Sequence, residues 1–198
     1  SGEDALLEDM GLPAEQTNGI PPDQLVNFDI HQERMFCTDG LLLYFSELGL
    51  PESFAGTSSL NVRSDDGYLI RGLVSFGEIL LILKQSGIYY LSGSDEQSFQ
   101  IRTLHDKHGC VAQHSVAVAE GFAFWFGGDN FYLTDGNRVN ALGTTEVIDL
   151  IENISSADYP LMQAEIYPEE GWYMCGIPVS GVIARWVAYN YRSGDWHT

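Results

Sequence analysis

The sequence predicts an all-β protein, a β-propeller-like repeat of antiparallel blades with an acidic N-terminal arm over residues 1–24 and one short helix. Three observations predict it. An apolar strand, a tight turn and a second, aromatic-rich strand recur about every 44 residues, with Gly77 and Gly121 44 apart. Side chains alternate within these runs: Phe122, Phe124 and Phe126 take one face, Ala123 and Trp125 the other. The connections are clusters of Gly, Asn and Asp, residues that accept hairpin turns. Three or four short antiparallel strands at that period are the pattern of propeller blades. A β-sandwich of irregular strands is the alternative.

The elements follow in chain order. Residues 1–33 carry eight acids and neither Lys nor Arg, with Pro13, Asn18-Gly19 and Pro21-Pro22 among them. That stretch reads as an acidic arm laid over or joined to something, or as a solvated tail. The repeating domain spans 25–198. Its first copy runs Arg34–Cys37, turns at Thr38-Asp39-Gly40 and returns through Leu41–Ser46. The clearest copy is Gly77–Lys84, Gln85-Ser86-Gly87 and Ile88–Gly93. The third is Gly121–Phe126, Gly127-Gly128-Asp129 and Asn130–Gly136, and the fourth starts at Gly171 and runs to Tyr191. Leading strands are expected at Leu25–Ile30, Tyr68–Phe76, Val111–Val118 and Leu161–Tyr167, and trailing strands at Ser98–Leu104 and Arg138–Leu142. One segment breaks the pattern: Glu146–Ile154 puts Val147, Ile148, Ile151 and Ile154 on one helical face, with Thr144 or Thr145 placed to cap it. It reads as a short helix on a blade edge, or as a partner-docking helix.

Composition bounds the function. The 198 residues hold 9 Lys+Arg against 28 Asp+Glu, a net charge of −19 at pH 7. Gripping a polyanion needs bases to neutralise phosphates, so nucleic-acid binding is excluded in practice, and docking on an anionic membrane is disfavoured. The longest apolar run, Ile79–Leu83, is strand-sized, and no membrane anchor is expected. Cys37, Cys110 and Cys175 are odd in number and far apart, which reads as buried free thiols in a reducing compartment. The first base is Arg34, so no secretion leader is expected. The last residues read as a hairpin stopped in its second strand, with more protein expected beyond it.

Chemistry-bearing patterns are sparse. The chain lacks G-x-S-x-G, a P-loop and H-E-x-x-H, and no catalytic residue, cofactor or enzyme activity is expected. His105, His108, Cys110 and His114 offer donors of the kind zinc takes. If His114 lies on an extended strand it is about 13 Å beyond Cys110, so an inter-blade loop is the stronger reading and no metal site is assigned. Asp65-Asp66-Gly67, Asp95-Glu96 and Asp129-Asn130 are oxygen-rich turns without the ligand density of a calcium loop. The sequon Asn153-Ile154-Ser155 is read as chance.

Three stretches together carry a resemblance. They are His31–Phe36 followed by Leu43–Gly49 and Pro51–Phe54; Ile70–Gly93; and Gly121–Phe126 leading to Tyr132–Gly136. With the closing Tyr189–Trp196 they resemble β-propeller proteins of tailed-bacteriophage virions, namely tail nozzle and hub proteins and head-to-tail stabilisation proteins. The resemblance implies a structural virion component, assembled in the host cytoplasm. Copies would form a ring, six-fold in the usual case, around the DNA exit channel and contact neighbouring tail or connector proteins. Carboxylates on a channel wall would then repel phosphates and let DNA slide past without specific binding. Tyr89, Tyr90, Trp186 and Tyr189 are the candidates for subunit contacts, with blade-to-blade packing as the alternative. The second functional reading is a propeller-type domain that binds or hydrolyses glycans.

Overall fold

The computed structural model describes residue 19 and residues 24–56 and 58–198; all of the acidic arm except Gly19 and Gln24 lies outside them. Among the described residues the chain forms four antiparallel sheets of four strands, each sheet ordered as the strands occur in sequence. The first holds β1 (Asn27–His31), β2 (Arg34–Thr38), β3 (Leu42–Phe45) and β4 (Ser59–Asn61). The second holds β5 (Ile70–Phe76), β6 (Ile79–Lys84), β7 (Ile88–Ser92) and β8 (Gln100–His105). The third holds β9 (Ala117–Ala119), β10 (Phe122–Phe126), β11 (Phe131–Thr134) and β12 (Val139–Ala141). The fourth holds β13 (Ala164–Tyr167), β14 (Trp172–Val179), β15 (Val182–Asn190) and β16 (Trp196–His197). The second strands begin 45, 43 and 50 residues apart, so the sequence period is the blade period. The chain is a β-propeller-like repeat. Its residues group into two compact units, one ending at Gly67 and the other spanning Tyr68–Thr198.

Two-residue hairpin loops join several strand pairs, because their twist suits the strands they link. The type I′ form of such turns needs positive φ at both central residues. Glu120 and Gly121 (48° and 82°) and Ser180 and Gly181 (52° and 84°) meet this with one glycine each. Gln32 and Glu33 (47° and 61°) meet it with none, at the expense of Cβ crowding.

In the first unit β2 registers Phe36 opposite Phe45 and Cys37 opposite Tyr44. Alternation then buries Arg34, Phe36, Leu43 and Phe45 on one face. In the second unit the third blade lies between two cores. Ala123, Trp125 and Tyr132 pack with Val74, Leu81, Leu83 and Ile88 of the second blade. Phe124, Phe126 and Phe131 pack with Tyr173, Cys175, Ile177 and Val187 of the fourth. Both faces of β10 are therefore covered, which accounts for its unbroken Phe-Ala-Phe-Trp-Phe run.

Three boundaries differ from expectation. The strand expected over Val111–Val118 is a single tight turn at Gln113–Ser115 followed by the three-residue β9. Ser115 imposes this: its hydroxyl donates to Ala112 O (2.6 Å) and accepts from the Phe126 N–H (2.9 Å). The strand expected from Leu161 starts only at Ala164, because Ser156–Leu161 closes a turn capped by the Ser155 hydroxyl. All four blades, not two, carry a trailing strand.

The helix α1 spans Thr145–Ile151 and buries Val147 and Ile151, which lie four apart on one line. Ile148, expected on that face, is 38% exposed, and Ile154 packs from beyond the helix end. Thr144 holds the cap position, but its side chain makes no capping hydrogen bond.

Candidate functional site

The histidine stretch singled out in the sequence lies at the joint between the second and third blades. The chain leaves β8 at His105 and passes close beneath β6: a Cβ on Gly109 would come within 2.1 Å of Lys84 O. Only glycine fits there. The passage swings the His108 ring onto Tyr132. Their centroids are 4.9 Å apart, His105 stacks on the far side of His108 at 5.5 Å, and Trp125 stacks on Tyr132 at 5.9 Å. Four rings form one continuous stack across the joint.

Protons are ordered along it. The Tyr132 hydroxyl donates to the Asp129 carboxylate, with both oxygens at 3.0 Å. With that proton committed, His108 Nδ1, 2.7 Å from the same hydroxyl, is the donor to it. Nδ1 also lies 3.3 Å from Asp129. Trp125 Nε1 donates to His108 O at 3.3 Å. Burial pushes the Tyr132 phenol well above its ordinary value, and the Asp129 carboxylate pushes it the same way. The hydroxyl is a fixed donor, and the cluster knits the two blades together.

The four side chains that offered zinc-type donors, His105, His108, Cys110 and His114, are not brought together. Cys110 is fully buried, donates its thiol hydrogen to Ala112 O at 3.4 Å, and is pushed up to about 12 by burial. His114 is exposed on the Gln113–Ser115 turn. Among the described residues no group of three or more His, Cys, Asp or Glu side chains could hold a metal ion.

Two of the three oxygen-rich turns are occupied locally. Asp95 Oδ1 accepts from the Gln97 and Ser98 N–H groups, and Asn130 Oδ1 accepts from Gly143 N–H at 2.7 Å. Asp65 and Asp66 form one tight turn between Arg63 and Gly67, both left-handed. The three thiols are free and buried, as expected. Burial pushes Cys175 up to about 12 and Cys37 up to about 11.

The candidate contact aromatics divide. Tyr89 is 2% exposed, so it is a core residue and not a contact. Tyr90 and Tyr189 are half-buried, and Tyr189 packs on Trp196 at 5.1 Å. Trp186 is 47% exposed. Sequence reasoning missed Phe28 and Ile30 on β1, 64% and 61% exposed, because their alternation with Asn27 and Asp29 reads as an ordinary half-buried strand.

Two shallow clefts open on the surface of the second unit. One, about 450 Å³, is lined by Thr144, Thr145, Glu146, Gly194, Asp195 and Trp196. The other, about 350 Å³, lies between the second and third blades beside Tyr90 and Asp135.

No family model matches the chain, and no curated protein matches it. Solved structures do. The crystal structure of the N-terminal domain of Nup159, a β-propeller, superposes on 91% of this chain and on 44% of its own, with a TM-score of 0.55 and 10% sequence identity. At that identity the likeness establishes the fold alone: the class is a propeller-type repeat. The chain spans less than half the length of that structure.

Proposed function

We propose that this chain is a non-enzymatic structural module of a tailed-bacteriophage particle, part of a tail nozzle, hub or head-to-tail connector ring around the DNA exit channel. The observation that carries the assembly part of this reading is the exposure of large apolar side chains on regular strands. Phe28, Ile30, Tyr167, Val182 and Trp186 are each more than 40% exposed. Phe28 and Ile30 alternate on one face of β1, and exposed apolar side chains that adjoin in this way mark contact surfaces, whereas singly exposed ones do not. The resemblance of the hairpin segments to virion propellers supports the phage part. The net charge of −19 supports a wall that DNA slides along.

The polar cluster at the blade joint fits this reading. Its Tyr132, Asp129 and His108 groups bond to one another, as expected of a structural joint.

The second reading, glycan binding or hydrolysis, is favoured by the cleft where Trp196 lies beside Glu146 and Asp195. An aromatic face beside carboxylates is the chemistry a sugar site uses.

The mass of the full-length product by light scattering, at low and moderate salt, tests the first reading. A ring-sized oligomer is expected. A strict monomer that also retains or cleaves glycans overturns it in favour of the second.

A further inference from the structure

We infer that the cleft between the start of α1 and the β15–β16 turn is a binding site for a small organic cation whose ammonium group meets Glu146, Asp195 and Trp196. The inference rests on the cleft named in the second reading above and narrows its ligand. An amino sugar or a linear polyamine would bring the same ammonium chemistry.

The cleft, about 450 Å³, falls within the range of small-molecule sites, about 300–1,000 Å³. Both of its walls belong to the second unit and are held by hydrogen bonds. Gly194 N–H donates to Asn190 O at 2.7 Å, and Asn190 N–H donates to Asp195 O at 2.8 Å. Asn190 Oδ1 accepts from the Arg192 and Ser193 N–H groups, so the turn that carries Asp195 is fixed. Trp196 follows on β16, opposite Tyr189. Its ring lies 5.1 Å from that of Tyr189 and 5.3 Å from that of Phe131, and its Nε1 donates to Leu142 O at 2.7 Å. Two residues past Leu142 the chain enters α1, which sets Thr144, Thr145 and Glu146 on the other wall.

Charge selects the ligand. Glu146 and Asp195 line the cleft, and no Lys, Arg or His lines it with them. Among the described residues neither carboxylate takes a hydrogen bond or an ion pair, whereas Asp39, Asp95, Asp129 and Asp135 are all engaged. The open charge of Asp195 is felt next to the cleft: burial first, and Asp195 second, push the Tyr189 phenol up. Two uncompensated negative charges in one concavity focus the field and draw cations into it.

The aromatic residue adds to the same preference. Its indole N–H is spent on Leu142 O, so what the Trp196 ring can offer a ligand is its π system, which attracts a cation. The donors left among the lining side chains are the Thr144 and Thr145 hydroxyls. A neutral sugar would leave both carboxylates unneutralised, and an acidic sugar would be repelled. An ammonium ligand answers the carboxylates and the ring together. Because the carboxylates are exposed, each contributes a modest, salt-screened share of the affinity.

Titration calorimetry of the full chain at low salt tests this with a glucosamine tetramer, the same tetramer fully N-acetylated, and spermidine. The glucosamine tetramer, spermidine or both should bind, and the acetylated tetramer should not. Affinity should fall about fivefold in Glu146→Gln and in Asp195→Asn, which change exposed side chains only. It should hold in Glu165→Gln, an exposed acid outside the cleft. An equal loss in all three variants would show a diffuse field instead of a site and overturn the assignment. Wild-type affinity in both cleft variants would overturn it too. Acetylated tetramer bound as tightly as the free amine overturns the cation and leaves the glycan reading standing. Binding of spermidine alone upholds the cation and removes the glycan reading. No binding of any probe overturns both.

Discussion

At the residue scale, the most informative side chains are two aspartates that build the same turn twice. Asp39 Oδ1 accepts from the Leu41 and Leu42 N–H groups, while Thr38 Oγ1 accepts from Gly40 N–H. Asp135 Oδ1 accepts from Asn137 and Arg138, while Thr134 Oγ1 accepts from Gly136. In each the glycine has φ near +90°, 100° at Gly40 and 87° at Gly136, where a side chain would be strained. Burial raises the Asp39 carboxyl. The Leu42 and Leu41 N–H groups and the Tyr44 hydroxyl outweigh it, and the net shift is downward. A lowered folded-state value adds stability that is complete above the unfolded aspartate range, near pH 4, and is lost as pH falls through the folded value. Asp39→Asn keeps an acceptor but has no charge to lose. Denaturant melts between pH 6 and 3 should show a flatter acid limb for the variant than for the wild type. Parallel limbs would remove Asp39 from the acid response.

At the element scale, α1 and the first hairpin make opposite predictions. Seven residues give fewer than two turns, so only Val147 and Ile151 are fully buried. Ile151→Ala should cost about 2–4 kcal/mol, and Ile148→Ala, at a half-exposed position, under about 1 kcal/mol. Equal costs by chemical denaturation would mean that the helix docks by a different face. In the hairpin, Gln32 and Glu33 hold left-handed conformations that Asn and Gly adopt freely. Replacing the pair by Asn-Gly should stabilise the chain by about 1 kcal/mol. A loss of stability there would show that the two side chains make contacts worth more than the strain. Between the third and fourth blades, Tyr173 donates to Ser115 O at 2.8 Å, so one small turn anchors two sheets.

At the scale of the whole molecule, charge dominates. A chain at −19 repels itself, and added salt screens that repulsion. The melting temperature at pH 7 should therefore rise by a few degrees between about 20 mM and 300 mM sodium chloride. Double-stranded DNA should show no retention of the protein at the low-salt end, where any basic grip would be strongest. Retention that weakens with salt would contradict the sliding-wall reading. Arg192 shows how few cations have to serve. It pairs with Glu120 across the third and fourth blades and also donates to Pro168 O at 2.7 Å and Glu169 O at 3.1 Å.

The blade repeat was legible in the sequence because it is local: alternation and turn chemistry act within ten residues, and the period from β2 to β14 followed from them. The free, buried state of the three thiols was legible for the same reason of composition and spacing. The His105–His108 stretch was visible as unusual, but its role was not. Tyr132 and Trp125, which complete the stack, and Asp129, which accepts from Tyr132, lie up to 27 residues away, and only blade packing brings them beside it. Exposure was decided in the same way. Tyr89 and Trp186 look alike in the sequence, yet one is core and the other open surface. Alternation assigns a residue to a face; which face is covered depends on what the next sheet brings to it, and that is a property of the tertiary structure alone.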